Sequence, residues 1–282
     1  MKAIGVFDSG VGGLTVLKAL RQAMPHRGFL YLGDTARVPY GRKPASMVRE
    51  FAREITGFLE AKGADAIVIA CNTATAVALQ DLQREFAVPI WGVIEPGVEA
   101  AIRATRSGSV GVIGTRGTIG SGAYQRRLEA RGMKVWAQAC PLFVHLVEED
   151  LADSAEAELL ARHYLDGRPE IDTLILGCTH YPVLAPMLAR VLGPEIRLVE
   201  SASVAAESVR DTLGEDTNIG VGRITHFVTG DPIAYEHTAA VIGGVEGEIV
   251  ALPVSDLRAH GCAECPPVNN QPQSGVPRLP SQ

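Results

Sequence analysis

The sequence predicts a mixed α/β fold of two pseudo-symmetric units with mainly parallel sheets and a site in the cleft between them. Three observations lead there. Short apolar runs alternate with helix-period segments along most of the chain, the pattern of a parallel sheet flanked by helices. The alternation restarts near Ser109, and matching positions keep an almost constant spacing: 106 residues from Ser9 to Thr115 and 107 from Cys71 to Cys178. Polar and thiol groups recur where the apolar runs end, which is where parallel sheets bind ligands.

Taken in order, Ile4 to Phe7 reads as a strand ending in Asp8-Ser9-Gly10-Val11-Gly12-Gly13. A helix with Leu14, Leu17 and Leu20 on one face follows. Phe29 to Leu32 is a second strand, ending in Gly33-Asp34, and a loop carries Val38-Pro39-Tyr40-Gly41-Arg42. An amphipathic helix is expected from about Ser46 to Lys62. Ala66 to Ala70 is a strand that delivers Cys71-Asn72-Thr73, with a helix from about Thr75 to Phe86. A fourth strand, Pro89 to Val93, runs out at Ile94-Glu95-Pro96.

The second round starts with the strand Ser109 to Ile113, which ends in Gly114-Thr115-Arg116-Gly117-Thr118 before a helix containing Tyr124 and Leu128. A strand from Lys134 to Ala137 leads through a loop and helix to Glu148-Glu149. A helix from about Ala155 to Leu165 precedes the strand Thr173 to Leu176, which delivers Cys178-Thr179-His180. A helix from about Val183 to Leu192 and a strand Ile196 to Val199 close the round. A helix to about Leu213, a glycine-rich connector, the strand Ile224 to Val228, a helix to about Ile242 and a strand Glu248 to Leu252 exceed one repeat. They must return to cover one of the halves. From about Ser255 the composition turns to Pro, Gln, Asn and Ser, the signature of a disordered or loosely packed tail.

Composition excludes several classes of function. A net charge of −6 leaves no basic footprint, so no nucleic-acid partner is expected. The N-terminus lacks a signal-peptide apolar region, and no apolar run approaches the ~20 residues of a membrane span, which predicts a cytoplasmic protein with no membrane partner. Five cysteines in such a chain are not a disulfide framework.

Cys71 and Cys178 stand apart because each sits at a strand exit, next to hydroxyls and, for Cys178, an imidazole. A free thiol titrates near ~8.5, and neighbours tune it. Two thiols on opposite faces of one carbon do what a single base cannot: one removes a proton and the other returns one from the far side, inverting a stereocentre. Asp8 and His180 are the tuning groups within reach. Backbone N–H groups at Ser9, Asn72-Thr73 and Thr179-His180, near helix N-termini, suit carboxylates.

The segments Asp8 to Gly13, Val38 to Gly41, Cys71 to Ala74 and Gly177 to Pro182, with Gly111 to Thr115 and Phe227 to Pro232, resemble the motif set of the bacterial glutamate racemases. These belong to the aspartate/glutamate racemase superfamily. The resemblance runs from Ile4 to about Leu252. It implies a cofactor-independent isomerase that interconverts L- and D-glutamate to supply D-glutamate for peptidoglycan, and a homodimer. By the same resemblance Cys71 deprotonates D-glutamate with help from Asp8, and Cys178 deprotonates L-glutamate with help from His180 and Glu148. Substrate contacts are expected at Asp8, Ser9, Tyr40, Gly41, Asn72, Thr73, Thr115, Thr118, Thr179 and His180. The surplus after the second round returns to the first unit, giving one domain from 1–96 plus about 206–254 and a second of about 97–205, with 255–282 as tail.

Rival readings have weaker footing in the residues. Gly10-Val11-Gly12-Gly13 imitates a dinucleotide loop, but position 15 is Thr where the fingerprint needs Gly. A pyridoxal enzyme needs a Schiff-base lysine, and only Lys43 lies near a motif loop. Related aspartate racemases usually carry Glu where this chain has His180. His260, Cys262 and Cys265 offer three zinc ligands without a fourth, so no metal is expected. Cys140 reads as buried packing, and His163 and His226 as structural or surface residues. A two-lobed binder of amino acids remains as the non-catalytic alternative, though binding alone does not call for a thiol on each face.

Overall fold

The computed structural model describes residues 3–214 and 221–260. In chain order the first round is β1 (Ala3–Asp8), α1 (Leu14–Ala23), β2 (Gly28–Gly33), α2 (Ala45–Ala61), β3 (Ala64–Ile69), α3 (Asn72–Glu85), β4 (Ile90–Gly92) and α4 (Ile94–Ala104). The second is β5 (Ser109–Gly114), α5 (Arg116–Gly120), α6 (Ala123–Glu129), β6 (Lys134–Ala139), α7 (Leu142–Glu148), α8 (Ala155–Leu165), β7 (Thr173–Gly177), α9 (Ala185–Leu192) and β8 (Arg197–Val199). The chain continues with α10 (Ala202–Leu213), β9 (Ile224–Val228), α11 (Pro232–Val241), β10 (Glu248–Ala251) and α12 (Val254–Arg258).

Every ladder among the described residues is parallel. One sheet runs β10-β9-β2-β1-β3-β4 and the other β6-β5-β7-β8. The repeat read from residue spacing is therefore a repeat of topology: β2-β1-β3-β4 and β6-β5-β7-β8 share one order. The surplus segment adds β9 to the free side of β2 and β10 beyond it. Parallel strands point all their carboxyl ends the same way, so Asp8, Cys71, Thr115 and Cys178 gather at the strand exits.

Helices cover both faces of each sheet, as parallel sheets require. Along β1, Ile4 and Val6 face a core shared with α1 and α10, while Phe7 faces a core built from α2, α3 and α12. The α2 helix buries Val48, Phe51, Ala52, Ile55, Phe58 and Leu59 at helical spacing. Each large side chain buried in this way contributes about 1.5–3 kcal/mol. The second sheet packs on α7, α8 and α9 on one side and on α4 and α6 on the other.

Three expectations need correcting. Ile94-Glu95-Pro96 does not simply trail off a strand but opens α4; proline in the first helical turn lacks only an N–H that would have no partner there. The helix expected from Val183 is a 3₁₀ turn, Tyr181–Leu184, followed by α9. Pro182 and Pro186 each sit at the start of one of these pieces and divide them. Order also persists beyond Ser255: α12 packs on α2, with Leu257 fully buried and the His260 ring 5.5 Å from that of Phe58. Apolar Val254 and Leu257, at i and i+3, outweigh the polar composition around them. Cys262 and Cys265 lie outside the described residues.

Candidate active site

On the first sheet, the turn after β1 folds back on Asp8. The Gly10 N–H donates to Asp8 Oδ2 at 3.0 Å, and the Tyr31 hydroxyl donates to the Gly10 carbonyl at 2.7 Å. Cys71 caps the N-terminus of α3 and accepts the Ala74 N–H at 3.5 Å. Its thiol lies 3.9 Å from Ser9 Oγ. A helix N-terminus favours negative charge on a capping group. Burial nevertheless pushes the Cys71 thiol up, and the charges of Asp8 and Cys178 push the same way.

On the second sheet, Cys178 is buried at the exit of β7, with His180 Nδ1 3.9 Å from its sulfur. His180 Nε2 is 3.0 Å from Glu148 Oε1, at the last residue of α7. Burial opposes a charge on this imidazole, but Cys178, Glu148 and Asp8 together outweigh it, and His180 is pushed up to about 10. A protonated ring donates from both nitrogens, one toward the sulfur and one to the carboxylate. Of the Glu148-Glu149 pair, Glu148 is the residue that meets His180. Its place at the helix end is fixed by Asp150, whose φ of 56° lets the Leu151 N–H reach back to the Leu146 carbonyl at 2.8 Å.

Contacts between the two walls are close. Thr179 Oγ1 donates to Asp8 Oδ1 at 3.4 Å. The hydroxyls of Thr73, Thr115 and Thr118 form a triangle with sides of 2.9, 3.1 and 3.0 Å. A Cβ on Gly12 would stand 2.3 Å from Thr179 Oγ1 and 2.6 Å from His180 Nδ1. A Cβ on Gly41 would stand 2.6 Å from that of Thr115. The glycines of the first unit are thus what let it approach the second. Asp8 itself is fully buried; burial raises its carboxyl, while His180 and the Gly10 and Gly13 amides pull it back.

Tyr40 is buried, and its hydroxyl donates to Asp34 rather than standing free. Asp34 also accepts Arg37 Nε at 2.7 Å and Thr229 Oγ1 at 2.8 Å, and Arg37 bonds Glu54. This buried network ties the loop bearing Tyr40 and Gly41 to the strand end of β9. The sequence marks Asp34 only as the end of a strand, and it gives no sign of the part played by Arg37, Glu54 or Tyr124. Among the remaining candidates, Cys140 is fully buried; its thiol is 3.7 Å from the Gln138 carbonyl, and its own carbonyl accepts the Tyr181 hydroxyl at 2.7 Å. His145 and His163 are exposed. His226 is buried between Tyr235 and the Glu246 carbonyl, and burial holds it below the usual imidazole range. Among the described residues, no group of three or more His, Cys, Asp or Glu side chains is arranged to hold a metal ion.

A family model described as Asp/Glu/Hydantoin racemase matches residues 9–209, from the turn after β1 into α10. The chain belongs to that racemase family. A relative described as glutamate racemase of Thermus thermophilus is 54% identical over 244 residues, 85% of this chain and 92% of that protein. The crystal structure of a Thermus thermophilus glutamate racemase with β-chloro-D-alanine superposes with a TM-score of 0.83 at 50% identity, covering 90% of this chain and 98% of that one. The Francisella tularensis glutamate racemase, crystallised with D-glutamate, superposes with a TM-score of 0.83 at 33% identity, with the same coverage. The family's two-domain architecture agrees with the two sheets and with the repeated strand order. No helix among the described residues is long and apolar enough to cross a membrane.

Proposed function

We propose that this chain is an isomerase that interconverts L- and D-glutamate with Cys71 and Cys178 as its two bases. The observation that carries this is the pair of buried thiols at matching strand exits, each held by its own polar partners, with Thr179 beside one bonded to Asp8 on the other sheet. Relatives that share half or more of its residues over most of its length bear the name glutamate racemase.

In one direction the Cys178 thiolate takes the Cα proton of L-glutamate, and the electron pair of the broken C–H bond spreads into the α-carboxylate. The Cys71 thiol then delivers its proton to the opposite face, giving D-glutamate and leaving a thiolate at Cys71. The reverse reaction exchanges the roles. His180, charged and anchored by Glu148, stabilises the thiolate of Cys178. Asp8 lies beside Cys71 and disfavours its thiolate, so that this wall readily gives up its anion by taking a proton. The amides of Ser9, Asn72, Thr73 and Thr179, with the Thr73, Thr115 and Thr118 hydroxyls, suit the carboxylates, and Tyr40 and Gly41 contribute through the loop that Asp34 braces.

The reaction needs no cofactor on this reading. The chain folds as one domain of 1–96 plus about 206–254 and a second of about 97–205, works as a homodimer in the cytoplasm, and provides D-glutamate for cell-wall peptidoglycan. Sedimentation equilibrium at micromolar concentration tests the dimer, and a monomer there rejects it. For the chemistry, L-glutamate is incubated in deuterium oxide and Cα exchange is followed by proton NMR. Exchange with inversion is expected from the native protein, and the Cys71→Ala and Cys178→Ala variants each lose inversion by more than ~10³-fold. Absence of both exchange and inversion in the native protein, or full activity in both variants, overturns the proposal.

A further inference from the structure

Tyr124 lies at the start of α6, in the second unit, and is fully buried. Its ring runs beneath the exit of β7: a Cβ on Gly177, the residue before Cys178, would meet the ring at 3.2 Å. The hydroxyl passes the Gly97 position of α4 and crosses to the other wall, where it meets Asn72 Oδ1 at 2.7 Å. Asn72 directly follows Cys71. One phenol therefore touches both cysteine-bearing segments from below.

The chemistry of this bond fixes an orientation. A phenol is a strong donor, and a buried donor without an acceptor costs ~1–3 kcal/mol. Asn72 is the only hydrogen-bond partner of the Tyr124 hydroxyl among the described residues. The Asn72 amide must therefore turn its oxygen to Tyr124, which leaves its NH₂ for the cleft. That NH₂ makes no hydrogen bond to any described residue, although Asn72 is only 3% exposed. Two N–H groups held there donate to a carboxylate oxygen and reject a group that presents N–H. Burial pushes the Tyr124 phenol up, and a negative Cys178 pushes it further, so the group keeps its proton throughout the neutral range.

We propose that Tyr124 is a positioning residue for substrate recognition: by donating to Asn72 Oδ1 it locks the amide with NH₂ toward a substrate carboxylate. This rests on the glutamate reading above and adds a specific recognition element to it. Without the phenol, Asn72 is free to flip and spends part of its time with oxygen facing the anion. Because the carboxylates are common to both enantiomers, the effect falls on KM for L- and D-glutamate alike rather than on one direction of proton transfer.

The test uses Tyr124→Phe, Asn72→Ala and the double variant, with folding checked by circular dichroism and thermal melting. In Tyr124→Phe, KM for both enantiomers should rise about 5- to 20-fold while kcat changes less than threefold. The Kd for D-glutamate, measured by titration calorimetry, should weaken by the same factor. In the Asn72→Ala background the added Tyr124→Phe change should have no further effect on Kd, because the amide through which it acts is gone. An unchanged KM in folded Tyr124→Phe overturns the proposal. So does an equal loss of affinity in both backgrounds, which would mark Tyr124 as general scaffolding. A native protein that fails to invert glutamate refutes the underlying reading instead, and that control is run first.

Discussion

Substituting Gly12 by alanine isolates the contact between the two walls. Its φ lies outside the left-handed region, so alanine carries no backbone penalty there and the effect is steric. The new methyl would sit 2.6 Å from His180 Nδ1 and 2.8 Å from Cε1, roughly 1 Å short of ordinary contact. Thr179 Oγ1 would be closer still, at 2.3 Å, so either the turn after β1 or the Thr179-His180 segment must move by about that distance. Overpacking of this kind costs ~1–3 kcal/mol in stability, a fall of a few degrees in melting temperature. Displacing a catalytic group by ~1 Å costs roughly 10²-fold in rate. The variant should therefore remain folded yet lose about 10²-fold in kcat, measured by circular dichroism at the wavelength where the glutamate enantiomers differ. Because His180 serves Cys178, the primary deuterium isotope effect should grow more with Cα-deuterated L-glutamate than with the D enantiomer. A kcat within threefold of native would refute the claim that Gly12 sets the position of His180.

Glu148→Gln removes a charge that favours the protonated ring of His180. A folded-state pKa of about 10, above the ordinary ~6.5, contributes stability that is fully present below the lower value and lost as pH rises through the upper one. The native melting temperature should thus decline between about pH 6.5 and 10. In the variant this decline, and the alkaline limb of kcat/KM, should shift to lower pH; superimposable profiles would contradict the assignment. Arg37→Met leaves Asp34 and Glu54 buried without their cation, their side chains being 0% and 8% exposed. A loss of ~3–5 kcal/mol in urea-derived stability is expected, and a loss below ~1 kcal/mol would show that the two carboxylates find other partners.

Strand exits were legible from sequence because β-branched and apolar runs stop abruptly at polar residues, and the spacing repeat survived as a shared strand order. Cys71, Cys178, Asp8 and His180 could be singled out for the same reason. Strand order itself is a long-range property: nothing local in Ile224 to Val228 says that it pairs with β2. Gly12 illustrates a second limit. In sequence it imitates part of a dinucleotide loop, whereas in the structure Thr179 Oγ1 and the imidazole of His180 occupy the space where its side chain would go. Tyr124 and Asp34 escaped because a buried phenol or carboxylate is read as core or loop until its distant partner, Asn72 or Thr229, is known. The α12 helix was missed because composition averaged over the tail hid two apolar residues at helical spacing.

The return of β9 to the flank of β2 fixes an order of events during synthesis. Phe29, Tyr31 and Leu32 leave the ribosome roughly 190 residues before the strand that closes their outer side. Until Ile224–Val228 emerges, that side of β2 presents unpaired amides and carbonyls, an adhesive edge on which a strand from another nascent chain fits equally well. Truncations upstream of Ile224 should therefore yield insoluble protein even though both cysteine motifs are complete, and the last quarter of the sequence acts as the seal on an edge opened by its first thirty-odd residues.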